Sequence, residues 1–366
     1  MTVLHTYLIE PKAPLVIRSG RPFDEQSGAD PARFPPPSTL AGALRTAHAE
    51  SCGKPFGPEL AQLAVAGPLP VCLASQRLLV PKPADALYFS MPDKSAVVLE
   101  RAAPGRLAEG ECCDLPAGLQ PVRLVNNVKG KPAPGPRWWS FSDLLAWRDF
   151  SQPPPSPAQI RENGWMPPAD EIRTHVGIAP ASQAAASGKL FQTAGLHFWH
   201  RIAVSDGVPI NPVGLIGQIA GEITPGLITL GGERRLSAIT PAPASLWPAM
   251  PDDLCARIRA AGGLSLTLLT PALFARGWQP PEYPGLKLAA AALERWQPHS
   301  GWDLAQRKPR AGRKLVPAGA VYWYTLTTDI GDEALAALWM TPLSDDKQDR
   351  RDGFGMVLPQ PWTPLP

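Results

Sequence analysis

The stretch FPPPSTLAGALRTA, residues 34–47, decides how the chain begins to fold. Three consecutive prolines cannot extend a helix backwards, and Ser38 or Thr39 directly after them can cap a helix. The apolar residues that follow recur at helical spacing. A strand with a proline break precedes this stretch, over residues 6–18. The sequence therefore opens as a strand, a long loop and a helix.

A hairpin is predicted in the middle of the chain. Residues 173–178 and 189–193 alternate large and small side chains, as strands do. Between them, residues 179–188 contain mostly alanine, serine and glycine and are predicted to form a loop. Residues 214–221 are predicted to be a helix that packs through its small residues.

The remaining pattern favours an α+β fold. Strands are predicted at residues 227–230, 264–269, 321–326 and 354–358, and a helix with an acidic cap at 332–339. Strand and helix spacing in both halves predicts two α+β units in a duplicated ferredoxin-like arrangement. We place these domains at residues 1–250 and 251–366, with a large proline-rich insertion at about 81–168.

Composition limits the class of protein. The chain has 366 residues, 44% of them hydrophobic, which is enough for two domains with real cores. The net charge of +3 permits a local nucleic-acid patch but does not require one. The five cysteines include no pair with zinc-knuckle spacing. With no signal peptide or long apolar span in the sequence, we expect a cytoplasmic protein that does not bind membranes.

Catalytic motifs are missing from the sequence. It has neither a nucleophile elbow nor a phosphate loop, and His197 and His200 lack a cysteine or carboxylate at ligand spacing. We therefore predict no catalytic residue, no metal and no cofactor. His175 is a possible general base for RNA cleavage, with Arg173 stabilising the phosphorane, but no second proton-transfer group is evident. A neutral histidine that is hydrogen-bonded within the hairpin is the preferred interpretation.

Glycine-containing turns are the candidates for phosphate contact, because glycine lacks the Cβ that keeps backbone N–H groups away from an anion. Residues 18–21 form a compact turn with two arginines. Residues 231–232 and 353–355 fit either phosphate contact or a plain turn. The run at 306–314 has five cations and no acid, and fits a solvated loop or a phosphate contact about equally.

Several segments resemble one known family. They are IRSGRPF (17–23), FPPPSTLAGALR (34–45), THVGI (174–178), LGGE (230–233), VPAGAVY (316–322) and GFG (353–355). In this order they resemble the third subunit of Cmr complexes, the type III-B CRISPR effectors. The first two segments are the most specific, and the proline-rich insertion matches nothing in that family.

The resemblance implies a fold and a role. The family consists of RAMP proteins with two ferredoxin-like, RRM-like domains, and the hairpin at about 172–195 looks like its thumb. Such subunits bind the 5′ tag of the crRNA, adjoin the large polymerase-like subunit and the backbone RAMP subunit, and meet target RNA indirectly. They are not known as nucleases. Two alternatives stay open: a RAMP-type CRISPR RNA-processing endoribonuclease that uses His175 or His48, and a scaffold that touches only protein.

The turns and the resemblance together give a set of candidate RNA-binding residues. They are Arg18, Gly20, Arg21, Ser38, Arg45, Arg173, His175, Lys189, Gln192, Gly231, Gly232, Arg234, Arg351, Gly353 and Gly355.

Overall fold

The computed structural model describes residues 3–17, 31–55, 57–92, 96–201, 210–303, 308–327 and 330–365. The helices are α1 (Pro37–Ser51), α2 (Phe141–Arg148), α3 (Pro157–Asn163), α4 (Leu254–Ala261), α5 (Asp332–Ala336) and α6 (Lys347–Asp352). Short 3₁₀ turns lie at Pro58–Gln62, Gly232–Arg234 and Ala244–Leu246.

Strands make up most of the regular structure. They are β1 (His5–Pro11), β2 (Leu15–Val16), β3 (Val65–Cys72), β4 (Arg77–Pro81), β5 (Ala86–Ser90), β6 (Val97–Pro104), β7 (Val122–Leu124), β8 (Lys131–Pro132), β9 (Trp138–Ser140), β10 (Glu171–Ala179), β11 (Ala184–Leu196), β12 (Trp199–Arg201), β13 (Ile210–Ile219), β14 (Gly226–Thr229), β15 (Leu236–Pro241), β16 (Gly263–Leu268), β17 (Leu286–Ala292), β18 (Gln297–His299), β19 (Trp302–Asp303), β20 (Lys308–Pro309), β21 (Arg313–Leu315), β22 (Val321–Leu326) and β23 (Val357–Pro361). With its antiparallel pairings, this is the predicted α+β class.

The predicted caps of α1 and α5 are wrong, although a helix forms at both places, with α5 ending at Ala336 and not at residue 339. Helix α1 begins at Pro37 with Pro36 as its N-cap, and no side chain caps it. Proline suits the first helical position because its fixed φ is already helical and its missing N–H would have no partner there. Ser38 therefore falls inside the first turn. The N-cap of α5 is likewise Gly331 and not an acid.

The chain forms two compact units, each built from separated segments. Unit 1 comprises Met1–Gln76, Pro167–Pro243 and Pro298–Lys314, and unit 2 comprises Arg77–Met166, Ala244–Gln297 and Leu315–Pro366. The domain boundaries inferred from the sequence stay a prediction.

In unit 1 the sheet follows the order β14-β15-β1-β13-β3, and β12 also pairs with β13. The predicted helix at 214–221 is wrong, because this segment lies in strand β13. Its glycines allow α1 to approach the sheet. A Cβ on Gly217 would lie 2.6 Å from Leu40 Cδ2 of α1, and one on Gly67 of β3 would lie 3.5 Å from the same atom. The small residues thus serve helix-on-sheet packing.

The predicted hairpin is confirmed as β10 and β11, and β2 pairs with the far end of β11. The connecting loop is shorter than the predicted residues 179–188, because β11 already begins at Ala184. Gln183, with φ of 53°, closes the turn by donating its amide N–H to the Ala179 carbonyl.

Unit 2 contains a sheet in the order β17-β22-β16-β23. One face of that sheet packs on α4 and α5 around residues such as Leu264, Tyr322 and Ile258. Trp323 and Trp362 belong to a second, smaller core cluster.

The proline-rich segment at about 81–168 contains large buried side chains. Trp139, Trp147 and Trp165 are fully buried. Asp85 and Arg148 form a buried ion pair, with Nη1 2.5 Å from Oδ2 and Nη2 3.0 Å from Oδ1. The buried tryptophans therefore order this segment. In the part of the chain described, no helix is both long and apolar enough to cross a bilayer.

Candidate nucleic-acid interface

The loop at residues 231–235, here called the glycine loop, joins β14 to β15 in unit 1. It is closed by the Leu230 amide, which donates to the Arg235 carbonyl at 2.9 Å. Gly231 has φ of 79° and ψ of −160°, a backbone region that is essentially restricted to glycine. A Cβ at Gly231 would lie 2.9 Å from the Val16 carbonyl oxygen and from Ile17 Cδ1. The loop is therefore pressed against β2, just before Arg18.

Two further residues of the glycine loop have left-handed backbone angles. Glu233 has φ of 57° and Arg234 has φ of 50°, and residues with a Cβ seldom adopt such values. Among the described residues, the amide N–H groups of Gly231, Gly232 and Glu233 have no protein acceptor. Successive N–H groups of this kind form a concave site that suits an anion.

A polar cluster connects the hairpin to the glycine loop. The Thr193 hydroxyl of β11 donates to Glu233 Oε1 at 3.2 Å, and His175 Nε2 of β10 lies 2.8 Å from the Thr193 oxygen. Because Thr193 gives its proton to Glu233, His175 must carry a proton on Nε2 and donate it to Thr193. The His175 ring also stacks on Phe191, with centroids 4.9 Å apart.

The carboxylate of Glu233 is contacted on both sides. Oε2 accepts from Arg235 Nη2 at 2.7 Å, and Oε1 lies 3.4 Å from His175 Nε2. Partial burial acts to raise the pKa of Glu233, but the hydrogen bond and charge of Arg235, helped by Thr193 and His175, outweigh it. The pKa therefore lies below its ordinary value, and Glu233 stays ionised.

The other hairpin candidates lie near this cluster along the same ribbon. Arg173 is exposed and pairs with Glu171, its Nε 2.7 Å from Oε1. Lys189 is exposed and covers Gly177 with its side chain. Gln192 is exposed and donates to the Thr174 hydroxyl at 3.2 Å. The ribbon thus presents two exposed cations on the hairpin that meets the glycine loop.

The opposite face of the ribbon is mostly aliphatic, apart from the Thr174–Gln192 pair. Val176 and Leu190 are paired across the strands, and Leu190 is 64% exposed. Ile172 and Ile178 are also exposed. The face that carries His175 and Thr193 meets the glycine loop, whereas Gln192 lies on the opposite face with these aliphatic side chains.

Two candidates, Arg45 and Ser38, lie in helix α1 and are buried or half-buried there. Arg45 is only 7% exposed, and its Nε and Nη2 both donate to the Leu63 carbonyl, at 3.1 and 2.8 Å. Ser38 is half-buried in the first turn. RNA contact by either stays a prediction, and the Arg45 guanidinium is engaged in tying α1 to the segment before β3.

The closing glycines lie in unit 2, where their amides are occupied. The Gly353 N–H donates to the Arg350 carbonyl at 3.1 Å, and the Gly355 N–H donates to the Pro271 carbonyl at 2.7 Å. Gly353 ends α6 in a left-handed conformation, and Arg351 is half-buried in the last turn of that helix. This geometry favours the alternative of a plain turn.

Three candidates, Arg18, Gly20 and Arg21, lie outside the described residues, as do residues 306–307 of the cationic run. The candidates Arg173, His175, Lys189, Gln192, Gly231, Gly232 and Arg234 lie on the hairpin and the glycine loop of unit 1.

Sequence reasoning missed three members of the polar cluster: Thr193, Glu233 and Arg235. The hairpin register contained a signal for the first. Because His175 is paired with Phe191, Thr193 is its diagonal neighbour on the same face. No comparable sequence signal links Glu233 to His175, since the contact depends on how the glycine loop folds back on β2.

No metal site emerges within the described ranges, where no group of three potential ligands is close enough to hold an ion. The His197 ring accepts a hydrogen bond from the Trp199 indole at 3.2 Å, which is packing at a strand end.

Comparison with known proteins places this site in context. The family model described as CRISPR-associated protein (Cas_Cmr3) matches residues 7–362. No curated protein matches the sequence. A chain from a cryo-EM structure of the Type III-B Cmr-beta complex bound to cognate target RNA is similar, with a TM-score of 0.51, 13% identity and 96% of each chain covered. A chain from a structure of the same complex bound to cognate target RNA and AMPPnP has a TM-score of 0.48 and 12% identity, with 87% of this chain and 86% of that chain covered. On the strength of the match over nearly its whole length, this chain belongs to the Cas_Cmr3 family of CRISPR-associated proteins.

Proposed function

We propose that this protein is a non-catalytic RNA-binding subunit of a type III-B Cmr effector complex that binds the 5′ tag of the crRNA. Within the complex it joins the large polymerase-like subunit to the backbone RAMP subunit and meets target RNA only indirectly. Family membership supports the place in a Cmr complex. The tag-binding role rests on the site itself.

The observation that carries this proposal is the glycine loop. Three of its amides, those of Gly231, Gly232 and Glu233, have no acceptor among the described residues, and Arg234 is exposed directly beside them. Backbone amides next to a cation bind phosphate oxygens without regard to base identity. The adjoining hairpin adds Arg173 and Lys189 to the same surface.

The two units also support a pair of ferredoxin-like domains. In unit 1, four neighbouring strands lie in the order β15-β1-β13-β3. Numbered along the chain, they are the fourth, first, third and second of the four. In unit 2, the strands lie in the order β23-β16-β22-β17, which is again the fourth, first, third and second along the chain. This is the strand order of the ferredoxin-like fold. We propose that both units derive from it, with loops or short helices in place of the usual helix at some positions.

An RNA titration tests the proposal. The full chain is titrated with a short single-stranded RNA that begins with the repeat-derived tag, and with a scrambled RNA of equal length, at two salt concentrations. We expect tighter binding of the tag RNA and a logarithmic salt slope of about −0.7 for each phosphate contacted on a single strand. A pure protein scaffold would show neither a tag preference nor a salt slope.

One observation favours testing the endonuclease alternative as well. The Glu233 carboxylate lies 3.4 Å from His175 Nε2, which supplies a second proton-transfer group that the sequence did not reveal. The hydrogen-bond network nevertheless puts a proton on Nε2 and directs it to Thr193, so this nitrogen is not available as a base. We expect no cleavage of repeat RNA by purified protein, with or without divalent metal. Cleavage that disappears in His175→Ala would establish the nuclease.

A further inference from the structure

Glu233 stands out in the proposed interface because its position is unfavourable in two ways. Its backbone is left-handed, which costs energy for any residue with a Cβ. Its carboxylate is also an anion beside the surface proposed to bind phosphate, where like charge repels. A glutamate at this position therefore needs a favourable role that offsets the backbone strain and the charge repulsion.

The contacts of Glu233 indicate that role. Its two carboxylate oxygens reach three side chains from three separate places: Thr193 on β11, His175 on β10, and Arg235 at the end of the glycine loop. The Glu233 side chain is only 25% exposed, so its charge is directed inward. The carboxylate thus joins both strands of the hairpin to the loop.

Resting on the proposed function, we propose that Glu233 is a positioning residue for RNA binding. Its carboxylate fixes the glycine loop against the hairpin so that the amides of Gly231 and Gly232 face an RNA phosphate, and it does not itself contact RNA. The left-handed backbone at Glu233 and Arg234 is held by these side-chain contacts.

The sign of the effect separates this proposal from simple electrostatics. If Glu233 only repels phosphate, its removal strengthens RNA binding. If it positions the loop, its removal weakens binding in spite of the lost negative charge. Glu171 provides a matched control, because it is an acid on the same hairpin that pairs with Arg173 and not with the loop.

The test uses Glu233→Ala, Glu233→Gln and Glu171→Ala in the full chain, titrated with tag RNA at two salt concentrations. We expect Glu233→Ala to weaken binding roughly tenfold, the loss of one good charge-assisted contact. Its salt slope should become shallower by about 0.7, since one phosphate contact is lost. Glu171→Ala should bind as well as wild type or better, because Arg173 is released.

Glu233→Gln guards against misfolding, because it keeps the side-chain volume. Its amide can face either the Arg235 side or the Thr193 side correctly but not both, so we expect an intermediate loss of affinity. Amide exchange of Leu230, whose bond to Arg235 closes the loop, should accelerate in both Glu233 variants.

The outcomes are distinguishable. Glu233→Ala protein that binds tag RNA as tightly as wild type, with an unchanged slope, overturns the positioning role and leaves the proposed function intact. A wild-type protein without tag preference overturns the proposed function. In that event, the amide exchange of Leu230 still tests the positioning role. Unchanged exchange in the Glu233 variants overturns that role, whereas faster exchange shows that Glu233 holds the glycine loop in place.

Discussion

Replacing Gly231 by alanine should damage both the fold of unit 1 and RNA binding. Gly231 has φ of 79° and ψ of −160°, where any other residue costs about 1–3 kcal/mol. The added Cβ would also meet the Val16 carbonyl oxygen at 2.9 Å. This oxygen cannot withdraw easily, because Val16 is paired with Gly195 of β11. Overpacking of this kind adds about 1–3 kcal/mol, so we expect a total loss of about 2–6 kcal/mol.

The measurements are thermal unfolding and tag RNA titration of full-length variants. A loss of 1 kcal/mol lowers the melting temperature of a unit of this size by about 2–4 °C, so Gly231→Ala should melt several degrees below wild type. The clash is relieved only if the loop moves off β2, which carries its amides away from their positions. RNA affinity should therefore fall together with stability.

Two other glycines provide graded controls. A Cβ on Gly232 would lie 3.2 Å from the same Val16 oxygen, a milder approach. Gly110 has φ of 82° but nothing within 4 Å of an added Cβ. We expect Gly231→Ala to lose most stability, then Gly232→Ala, then Gly110→Ala, with RNA affinity unchanged in the last. If Gly231→Ala and Gly110→Ala behave alike in both assays, the close approach of the loop to β2 does not matter.

Three further predictions follow from the buried ion pair, the polar cluster and the hairpin end. Asp85→Ala should lower the free energy of unfolding by about 3–5 kcal/mol, because it leaves the buried Arg148 charge without its partner. The double variant Asp85→Leu with Arg148→Met should lose much less stability, as measured by thermal unfolding. Because the pKa of Glu233 is lowered, its ion pair contributes stability above the unfolded-state pKa, about 4.3, and loses it as the pH falls through the folded-state pKa. The difference in melting temperature between wild type and Glu233→Gln should therefore shrink as the pH is lowered from 7 to about 3. A constant difference would contradict the lowered pKa of Glu233. Replacing residues 179–188 with a short Gly-Ser turn should leave unit 1 folded and blur the target cuts nearest the tag in assembled complexes, and unmoved cut ends at normal complex yield would refute this.

Local sequence chemistry determined the elements that depend on near neighbours. Prolines followed by a periodic apolar run predicted α1, and alternation predicted β10, β11, β16 and β22, because these signals arise within one segment. The cap of α1 was missed for an equally local reason: proline suited the start of the helix better than a serine cap. The segment at 214–221 was assigned to a helix because small residues pack closely in helices and in sheets alike, and only the pairing of β13 with β1 and β3 distinguishes the two.

The motifs of the sequence also determined the family, since their order extends over the chain and the Cas_Cmr3 family matches residues 7–362. The sequence singled out His175 and the two glycines at 231–232 as separate candidates. Only the tertiary structure decided that they form one site, because the glycine loop folds back on β2 and carries Glu233 to within 3.4 Å of His175. It also decided that the Arg45 guanidinium is buried against a carbonyl and that the closing glycines donate their amides to the Arg350 and Pro271 carbonyls. Sequence patterns report what a residue can do, whereas the hydrogen-bond partners that occupy it are brought by segments distant in the chain.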